Sequence, residues 1–294
     1  MKSTLMCGMA ALLAASLASC GTDDPAKNHL KVAFANQFSF MTTAASDTVV
    51  SALDGTINFT FDDENRLADI TIDGMTMSDG STRSLVIGKV PFTADSHSLR
   101  RGDVAGLTDG EVSGLKFAYF PDINAEGSAE AHVGLYLSLT FADGSRATFF
   151  PYTCRGFGAT ETTNTSDGDS KFVSTKTSYT VELRPETHTA TLVISNAAFA
   201  EGMPTLGDMQ LRSSQENGET DDLHLSLSHE GYRLEAPMII PSIAGVPYLR
   251  YSITALGAEA ELDKNRLDLG FNCMRVFRVN AVTTAVDMPM LELK

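Results

Sequence analysis

The chain has 294 residues, of which 43% are hydrophobic, and it carries a formal charge of −15 at pH 7. This length and apolar content suit one large domain or two ordinary ones. The acidic balance predicts no nucleic-acid partner, because neutralising phosphates needs clustered Lys and Arg, and it argues against electrostatic docking on anionic lipid.

The N-terminal residues predict an export signal. Lys2 is followed by an uncharged apolar run at 5–17 and by two small residues before Cys20. This layout is typical of a cleaved secretory signal, and the apolar run is shorter than the roughly 20 residues that cross a bilayer as a helix. We therefore expect residues 1–19 to be removed.

The motif Leu17-Ala18-Ser19-Cys20 resembles the lipobox of bacterial lipoproteins. The resemblance implies that the Cys20 thiol is diacylated, that cleavage occurs before it, and that the new amino group is acylated. Several acyl chains are expected because one chain alone binds a membrane only marginally. An ordinary secretory signal with a chance cysteine is the alternative.

The acidic pair Asp23-Asp24 resembles the signal that sends some Gram-negative lipoproteins to the outer face of the outer membrane. We expect residues 20–30 to be a lipidated tether and the protein to face the cell exterior. The periplasmic face of the outer membrane is the alternative location, because Asp, Pro and Lys would make a polar tether in any case.

Asp-Gly pairs recur along the chain, and short runs of alternating hydrophobicity lie between them. Ile57, Phe59 and Phe61 share one face of such a run, and residues 135–141 alternate again before Asp-Gly at 143–144. Alternation predicts half-buried strands, and Asp-Gly favours hairpin turns. The predicted fold class is all-β and antiparallel, built as sandwiches or open barrels, with only residues 30–40 ambiguous between helix and strand.

One polar stretch divides the chain after the signal into two portions of similar size. Residues 158–170 contain one alanine and no larger apolar residue, which predicts a linker at 158–171. The predicted organisation is a first β domain at 31–157 and a second at 172–294.

The two portions show signs of an internal duplication. When Ile57 is aligned on Tyr179, Phe59 falls on Val181 and Phe61 on Leu183, and both runs are followed by a polar loop of equal length. Near each C-terminal end an Arg precedes a strand with a cysteine, from 146 to 154 and from 266 to 273. The alternative is that any two long hairpins look alike at this level.

The second portion resembles a family of lipoproteins from gut anaerobes. The resemblance lies in residues 190–199, in Met203-Pro204, and in Ile239-Ile240-Pro241 with Pro247-Tyr248. It spans roughly residues 175–282, and some relatives of that family are lipocalin-like (calycin-like). It implies a carrier-like β fold but no activity and no catalytic residue.

Few residues carry chemistry after Cys20. Cys154 and Cys273 lie in apolar, strand-like contexts, so two buried free thiols are the default, while a disulfide between them stays open outside the cytoplasm. The histidines nearest in sequence, His224 and His229, are five residues apart and point to opposite faces of a strand, so no zinc site is predicted. Carboxylate clusters at 62–65 and 167–169 lack calcium-loop spacing.

The sequence predicts no cofactor, no metal and no enzyme, because nucleophile elbows, phosphate loops and zinc helices are absent. Without Trp, the nearest aromatic-cationic cluster is Tyr248, Arg250 and Tyr251, a binding candidate whose simpler interpretation is strand-end packing. Three functions compete: a surface lipoprotein that binds a protein or glycan, a lipocalin-like carrier with an apolar cavity, and a hydrolase assembled from distant carboxylates.

Overall fold

The computed structural model describes residues 29–34, 38–43, 46–51, 55–77, 80–94, 99–107, 110–120, 134–184, 189–212, 223–264, 266–282 and 291–293. The predicted signal, the Cys20 anchor and Asp23-Asp24 lie outside these residues. No helix within the described ranges is long and apolar enough to cross a membrane.

The described chain is all-β, as predicted, and all strand pairs are antiparallel. The first eleven strands are β1 (His29–Phe34), β2 (Phe38–Thr43), β3 (Ser46–Ser51), β4 (Thr56–Asp62), β5 (Leu67–Thr76), β6 (Thr82–Pro91), β7 (Thr93–Ala94), β8 (Arg100–Ala105), β9 (Val112–Phe120), β10 (Gly134–Phe141) and β11 (Arg146–Phe150).

The remaining strands are β12 (Thr153–Phe157), β13 (Ala159–Asn164), β14 (Ser170–Ser174), β15 (Ser178–Arg184), β16 (Thr189–Ser195), β17 (Met209–Arg212), β18 (His224–Ser228), β19 (Gly231–Ile239), β20 (Ser242–Ile243), β21 (Val246–Pro247), β22 (Ile253–Glu261), β23 (Arg266–Cys273), β24 (Phe277–Val282) and β25 (Leu291–Leu293). Two 3₁₀ helices lie at Leu249–Tyr251 and Leu262–Lys264.

The first sandwich packs two sheets face to face. Sheet A has the order β1-β4-β5-β6 and sheet B the order β3-β2-β11-β10-β9-β8-β7. Alternation in β4 sends Phe59 and Phe61 inward, where the ring of Phe59 meets that of Phe117 from sheet B edge-on at 5.1 Å. Burial of these alternate side chains between the sheets supplies the main stabilising free energy.

The second sandwich has the same construction. Sheet C has the order β21-β20-β17-β16-β15-β12-β25, and sheet D the order β14-β13-β24-β23-β22-β19-β18. Val181 and Leu192 of sheet C and Leu234 and Leu267 of sheet D are fully buried in its core.

The strand order of the first sandwich is repeated in the second. In sheet C, the run β12-β15-β16-β17 repeats β1-β4-β5-β6; sheet D repeats sheet B strand for strand, with β23 in the place of β10 and β24 in that of β11. The alignment of Ile57 on Tyr179 puts β4 on β15, which the topology also does. This repeated order supports the predicted duplication.

The cysteine correspondence inferred from the sequence is wrong. Cys154 lies in β12, the counterpart of β1, whereas Cys273 ends β23, the counterpart of β10. Arg146 and Arg266 likewise lie on strands that do not correspond. Both cysteines belong to the second sandwich.

The prediction of a linker at 158–171 is also wrong, because this segment is part of sheet D. It contains β13 and most of the hairpin to β14, and β13 pairs along its length with β24. Thr160 and Thr162 bury their side chains, and the hydroxyls of Thr160 and Tyr179 are 2.8 Å apart. A strand lacking large apolar residues is thus held by backbone hydrogen bonds and threonine. The chain passes between sandwiches at 151–152, so residues 153–157 belong to the second domain and His29 and Leu30 to the first.

Residues 30–40, ambiguous in the sequence, belong to β1 and β2 wherever they are described. Phe34 and Phe40 are buried there, on different cores.

One end of the second sandwich packs on the outer face of sheet B. Phe40, Tyr136 and Phe150 point out of the first core and join the second. The hydroxyl of Tyr136 donates to the carbonyl of His229 at 2.6 Å, and Lys116 pairs with Asp263 at 3.2 Å. The two sandwiches therefore share a continuous apolar and polar interface.

Candidate functional site

The predicted binding residues Tyr248, Arg250 and Tyr251 come together on one exposed turn. The 3₁₀ helix Leu249–Tyr251 carries two of them, and the rings of Tyr248 and Tyr251 lie 6.1 Å apart at 34°. Tyr251 is half-buried, and its carbonyl accepts from the Cys273 thiol at 3.7 Å. Tyr248 and Arg250 are exposed, so the turn is not simple strand-end packing.

Further exposed apolar side chains lie in the same segment of the chain. Leu249 is 73% exposed and Val246 55%. We call the exposed group the apolar tip; its members are Met238, Ile240, Val246, Tyr248 and Leu249. The sequence indicated Tyr248, but only the fold adds the other four members.

A second candidate is a polar groove on the outer face of sheet D. Cross-strand pairing places Glu235 of β19 beside Gly257 of β22, Gly257 beside Gly270 of β23, and Gly270 beside Asn280 of β24. Two glycines thus adjoin in the middle of the sheet, flanked by polar side chains. We call this the sheet-D groove, with Gly257 and Gly270 as its floor.

The walls of the sheet-D groove carry more carboxylates than guanidinium groups. Arg233 lies 3.6 Å from the carboxylate of Glu235 and 3.5 Å from that of Glu259. Asp268 accepts from Nε of Arg266 at 2.9 Å, and this hydrogen bond raises the pKa of Arg266 above its usual range. The groove therefore offers one guanidinium donor and an excess of carboxylate acceptors. Its lining carries Arg233 against five carboxylates, a net charge of −4, from Glu230, Glu235, Glu259, Glu261 and Asp268.

The groove comprises two adjoining depressions that share Arg233, Glu235 and Glu259. The one over the glycine floor has a volume of about 360 Å³. Its neighbour, which reaches Ser226 and Ser228 on β18, has a volume of about 480 Å³. Together they form an elongated surface depression across several strands of sheet D.

Neither cysteine is a nucleophile. Cys154 and Cys273 are free and buried, so the disulfide left open by the sequence is not formed. Burial raises the pKa of the Cys154 thiol to about 12 and that of Cys273 to about 12. Because the thiolate is the reactive form, both thiols are inert at neutral pH.

Two carboxylates have pKa values below their usual range. Asp63 has a lowered pKa, chiefly because Arg100 donates to both its oxygens at 2.9 and 2.8 Å. Asp143 has a lowered pKa because the hydroxyl and amide of Ser145 donate to it. A general acid in glycoside hydrolysis needs a raised pKa, so neither suits that role. Both carboxylates instead hold the turns in which they lie, Asp63 through Arg100 and Asp143 through Ser145.

The histidines occupy different settings. His224 is exposed on β18, whereas His229 is half-buried at the interface between the sandwiches. Within the described part of the chain, no cluster of three or more His, Cys, Asp or Glu could hold a metal ion.

The sequence did not predict the sheet-D groove or the role of His229. The signal available for the groove was a glycine at an outward position in each of two alternating strands, Gly257 and Gly270. That signal becomes a site only when strand register places the glycines side by side.

The chain matches no protein-family model, no curated protein and no solved structure.

Proposed function

We propose that this protein is a lipid-anchored surface lipoprotein that binds a glycan in the sheet-D groove without catalysing a reaction. The observation that carries the proposal is the adjoining pair Gly257 and Gly270 at the centre of a polar sheet face.

Gly257 follows a β-bulge in β22, but neither a close contact nor a strained backbone requires glycine at this position. A Cβ added there would meet no atom within 4 Å, and Gly257 does not have the positive φ that favours glycine. Glycine weakens a strand interior, and its presence there often marks the close approach of a ligand. An open glycine floor therefore favours a bound ligand over a structural requirement.

The chemistry of the walls favours a hydroxylated, uncharged ligand. Arg233 donates, Glu235 and Glu259 accept, and Asn280 does both. The excess of carboxylates disfavours an anionic ligand, whereas the hydroxyls of a neutral sugar can bridge the donors and acceptors. The chain has no Trp for stacking, and a flat floor allows a pyranose ring to lie against the backbone instead.

The outer faces of sheets B and D differ in polarity, and this difference favours a hydrophilic ligand on sheet D. The outer face of sheet B carries Phe40, Tyr136 and Phe150, and the second sandwich covers it. The topologically equivalent face of sheet D is polar and open. A protein partner docked in the same manner would be expected to meet an apolar face there.

The two competing functions receive less support. A lipocalin-like carrier needs an apolar void inside a barrel, whereas each sandwich has two separate sheets with large side chains buried between them. A hydrolase needs an acid with a raised pKa, and Asp63 and Asp143, among the carboxylates that the structure describes, have pKa values shifted downward.

Affinity electrophoresis of the mature chain carrying Cys20→Ser tests glycan binding. We expect retardation in gels containing at least one neutral glucan, mannan or xylan. Gly257→Val fills the floor and should abolish the retardation, while Gly88→Val, at an exposed strand glycine of the first sandwich, should preserve it. Migration unchanged by every neutral polysaccharide, or retained by Gly257→Val, would overturn the proposal.

The anchor is a separate part of the proposal, supported by the lipobox resemblance and the tether. Cys20→Ser should release the protein from the membrane fraction and abolish labelling by radioactive palmitate. Protease added to intact cells should remove the wild-type protein if it faces the exterior. Asp23→Asn with Asp24→Asn should protect it, and protection of the wild type would favour the periplasmic face.

A further inference from the structure

One end of the first sandwich contains a pocket of about 450 Å³ between sheets A and B. We call it the end pocket; its lining includes Met41, Met77, Arg83, Glu111, Phe141 and Asp143. Met41 and Phe141 are 1% and 4% exposed, so they form an apolar floor beneath a charged rim. A recess of this size with an apolar floor and a few polar groups is typical of small-molecule sites.

The internal duplication shows which residues of the second sandwich correspond to this pocket. The hairpin of β10 and β11 and that of β23 and β24 are equivalent, and each has a turn of the same length. Phe141 and Ser145 flank residues 142–144 in the first, and Cys273 and Phe277 flank residues 274–276 in the second. Ser145, which also lines the end pocket, therefore corresponds to Phe277.

The equivalent end of the second sandwich is filled by aromatic side chains. The alignment of Ile57 on Tyr179 also lays Met77 on Phe199. Phe199 is 2% exposed, and its ring stacks on that of Phe277 at 5.8 Å. Because the fold can close this end with large side chains, the open pocket of the first sandwich is not a requirement of the architecture. Unfilled apolar space costs stability, which favours a bound ligand.

The rim of the end pocket is held in place by bonds between neighbouring segments. Nη1 of Arg83, from sheet A, lies 2.6 Å from a carboxylate oxygen of Glu111, which precedes β9 of sheet B. The amide of Ala142 donates to the carbonyl of Glu111 at 3.0 Å, and the amide of Gly144 to that of Phe141 at 3.0 Å. The pocket is therefore formed before any ligand enters it.

The charges of the rim favour a cation. The lining carries Arg83 against Glu111 and Asp143, a net charge of −1, and Glu111 already pairs with Arg83. The hydroxyl and amide of Ser145 donate to Oδ1 of Asp143 at 2.6 and 2.9 Å, while no described residue donates to Oδ2. These hydrogen bonds lower the pKa of Asp143, so its carboxylate is ionised at neutral pH. An ammonium group would be attracted to it, and an anion repelled.

We propose that the end pocket binds a small aromatic amine, with its ring against Met77 and Phe141 and its ammonium group at Asp143. Thioether sulfur makes favourable contacts with aromatic rings, and Met side chains adapt to the shape of a ligand. The floor residues are almost wholly buried, so a small molecule can reach them and a flat macromolecular surface cannot. This proposal does not rest on glycan binding or on the lipid anchor.

The absence of Trp lets the ligand itself supply the signal. Tryptamine, tryptophol and indole-3-acetate share an indole ring, but the first is a cation, the second neutral and the third an anion at neutral pH. Anisotropy of indole emission measures their binding to the mature Cys20→Ser chain. We expect tryptamine to bind roughly threefold more tightly than tryptophol and roughly tenfold more tightly than indole-3-acetate.

Substitutions locate the bound amine. Asp143→Asn keeps the oxygen that accepts from Ser145 but removes the charge, so it should lower the affinity for tryptamine roughly threefold and leave that for tryptophol unchanged. Asp167→Asn, in the Asp-Gly turn between β13 and β14, is the matched control and should change neither. Met77→Phe copies the filled end of the second sandwich and should abolish binding of all three indoles.

A further control separates the end pocket from the acidic sheet-D groove. Gly257→Val should leave tryptamine binding unchanged, and its loss would place the amine in the groove and overturn the proposal. No binding of tryptamine at millimolar concentration, or equal affinities for the cation and the anion, would also overturn it. So would full binding by Met77→Phe with a native circular dichroism spectrum, or an affinity for tryptamine that Asp143→Asn leaves unchanged.

Discussion

The Nδ1 atom of His229 lies 2.6 Å from the hydroxyl of Thr148, which joins a turn of the second sandwich to β11 of the first. The Nε2 atom of the same ring lies 2.8 Å from the hydroxyl of Thr42, and the ring stacks on Phe40 at 5.1 Å. Thr148 is fully buried. A single imidazole therefore satisfies polar groups of two strands at the interface between the sandwiches.

Replacing this imidazole should loosen the two sandwiches. His229→Ala removes the contacts to Thr42 and Thr148 and leaves the buried Thr148 hydroxyl with only its 3.3 Å hydrogen bond to Ser138, so we expect a loss of about 2–3 kcal/mol in the free energy of unfolding. Urea denaturation followed by circular dichroism measures it. His224→Ala is the matched control, because His224 is exposed on the preceding strand, and its effect should stay within about 0.5 kcal/mol. Equal effects would contradict the role of His229.

The ion pair of Asp63 and Arg100 should make stability depend on pH. Arg100 is 8% exposed and lies over the rings of Phe61 and Tyr119. The pKa of Asp63 is lowered from its ordinary 3.8 on folding. The contribution of this ion pair to the free energy of unfolding is therefore fully present above about pH 4. It is lost as the pH falls through the lower pKa that Asp63 has in the folded protein.

Asp63→Asn should accordingly flatten the loss of stability between about pH 4 and pH 2. Thermal unfolding across this range checks it, with Glu64→Gln as a control that removes one charge from the same turn. Some slope should remain, because Asp143 also has a lowered pKa. A slope that Asp63→Asn leaves as steep as in the wild type would show that Arg100 does not hold Asp63 in solution.

Alternating hydrophobicity predicted the strands well where one face of a strand is buried. Residues 57–61 alternate in burial as β4. Residues 135–139 of β10 are buried on both faces, because the second sandwich covers the outer face of sheet B. The same rule failed at 158–170. There Thr160 and Thr162 face the core, and threonine was counted as polar although its methyl group packs in sheets.

The two sites escaped sequence reasoning because they depend on distant residues. His229 meets Thr42 and Thr148 across 187 and 81 positions of sequence. The groove requires the register of four strands, and a bulge between Thr254 and Gly257 shifts which side chains face out. Only Tyr248, Arg250 and Tyr251 could be found from sequence, because they are neighbours on one turn.

Substitutions at two glycines should have opposite effects on stability. A Cβ at Gly257 meets nothing within 4 Å, so Gly257→Val should raise the free energy of unfolding by about 0.5–1 kcal/mol. A Cβ at Gly231 would lie 1.7 Å from the carbonyl oxygen of Ala260, so Gly231→Ala should lower it by about 3 kcal/mol. Urea unfolding of both variants checks the signs. Destabilisation by Gly257→Val would mean that the floor is structurally required, and the argument for a ligand there would fail.

The two cysteines should be unreactive in the folded protein and free when it unfolds. Cys154 lies in sheet C and Cys273 in sheet D, and both are within the core of the second sandwich. Burial raises both thiol pKa values to about 12, so little thiolate exists at pH 8.

With the mature Cys20→Ser chain, Ellman's reagent should label neither thiol in buffer and both in guanidinium without added reductant. Val86→Cys supplies an exposed thiol as the positive control. Failure of both native thiols to react after unfolding, restored by reductant, would establish the disulfide that the folded arrangement argues against.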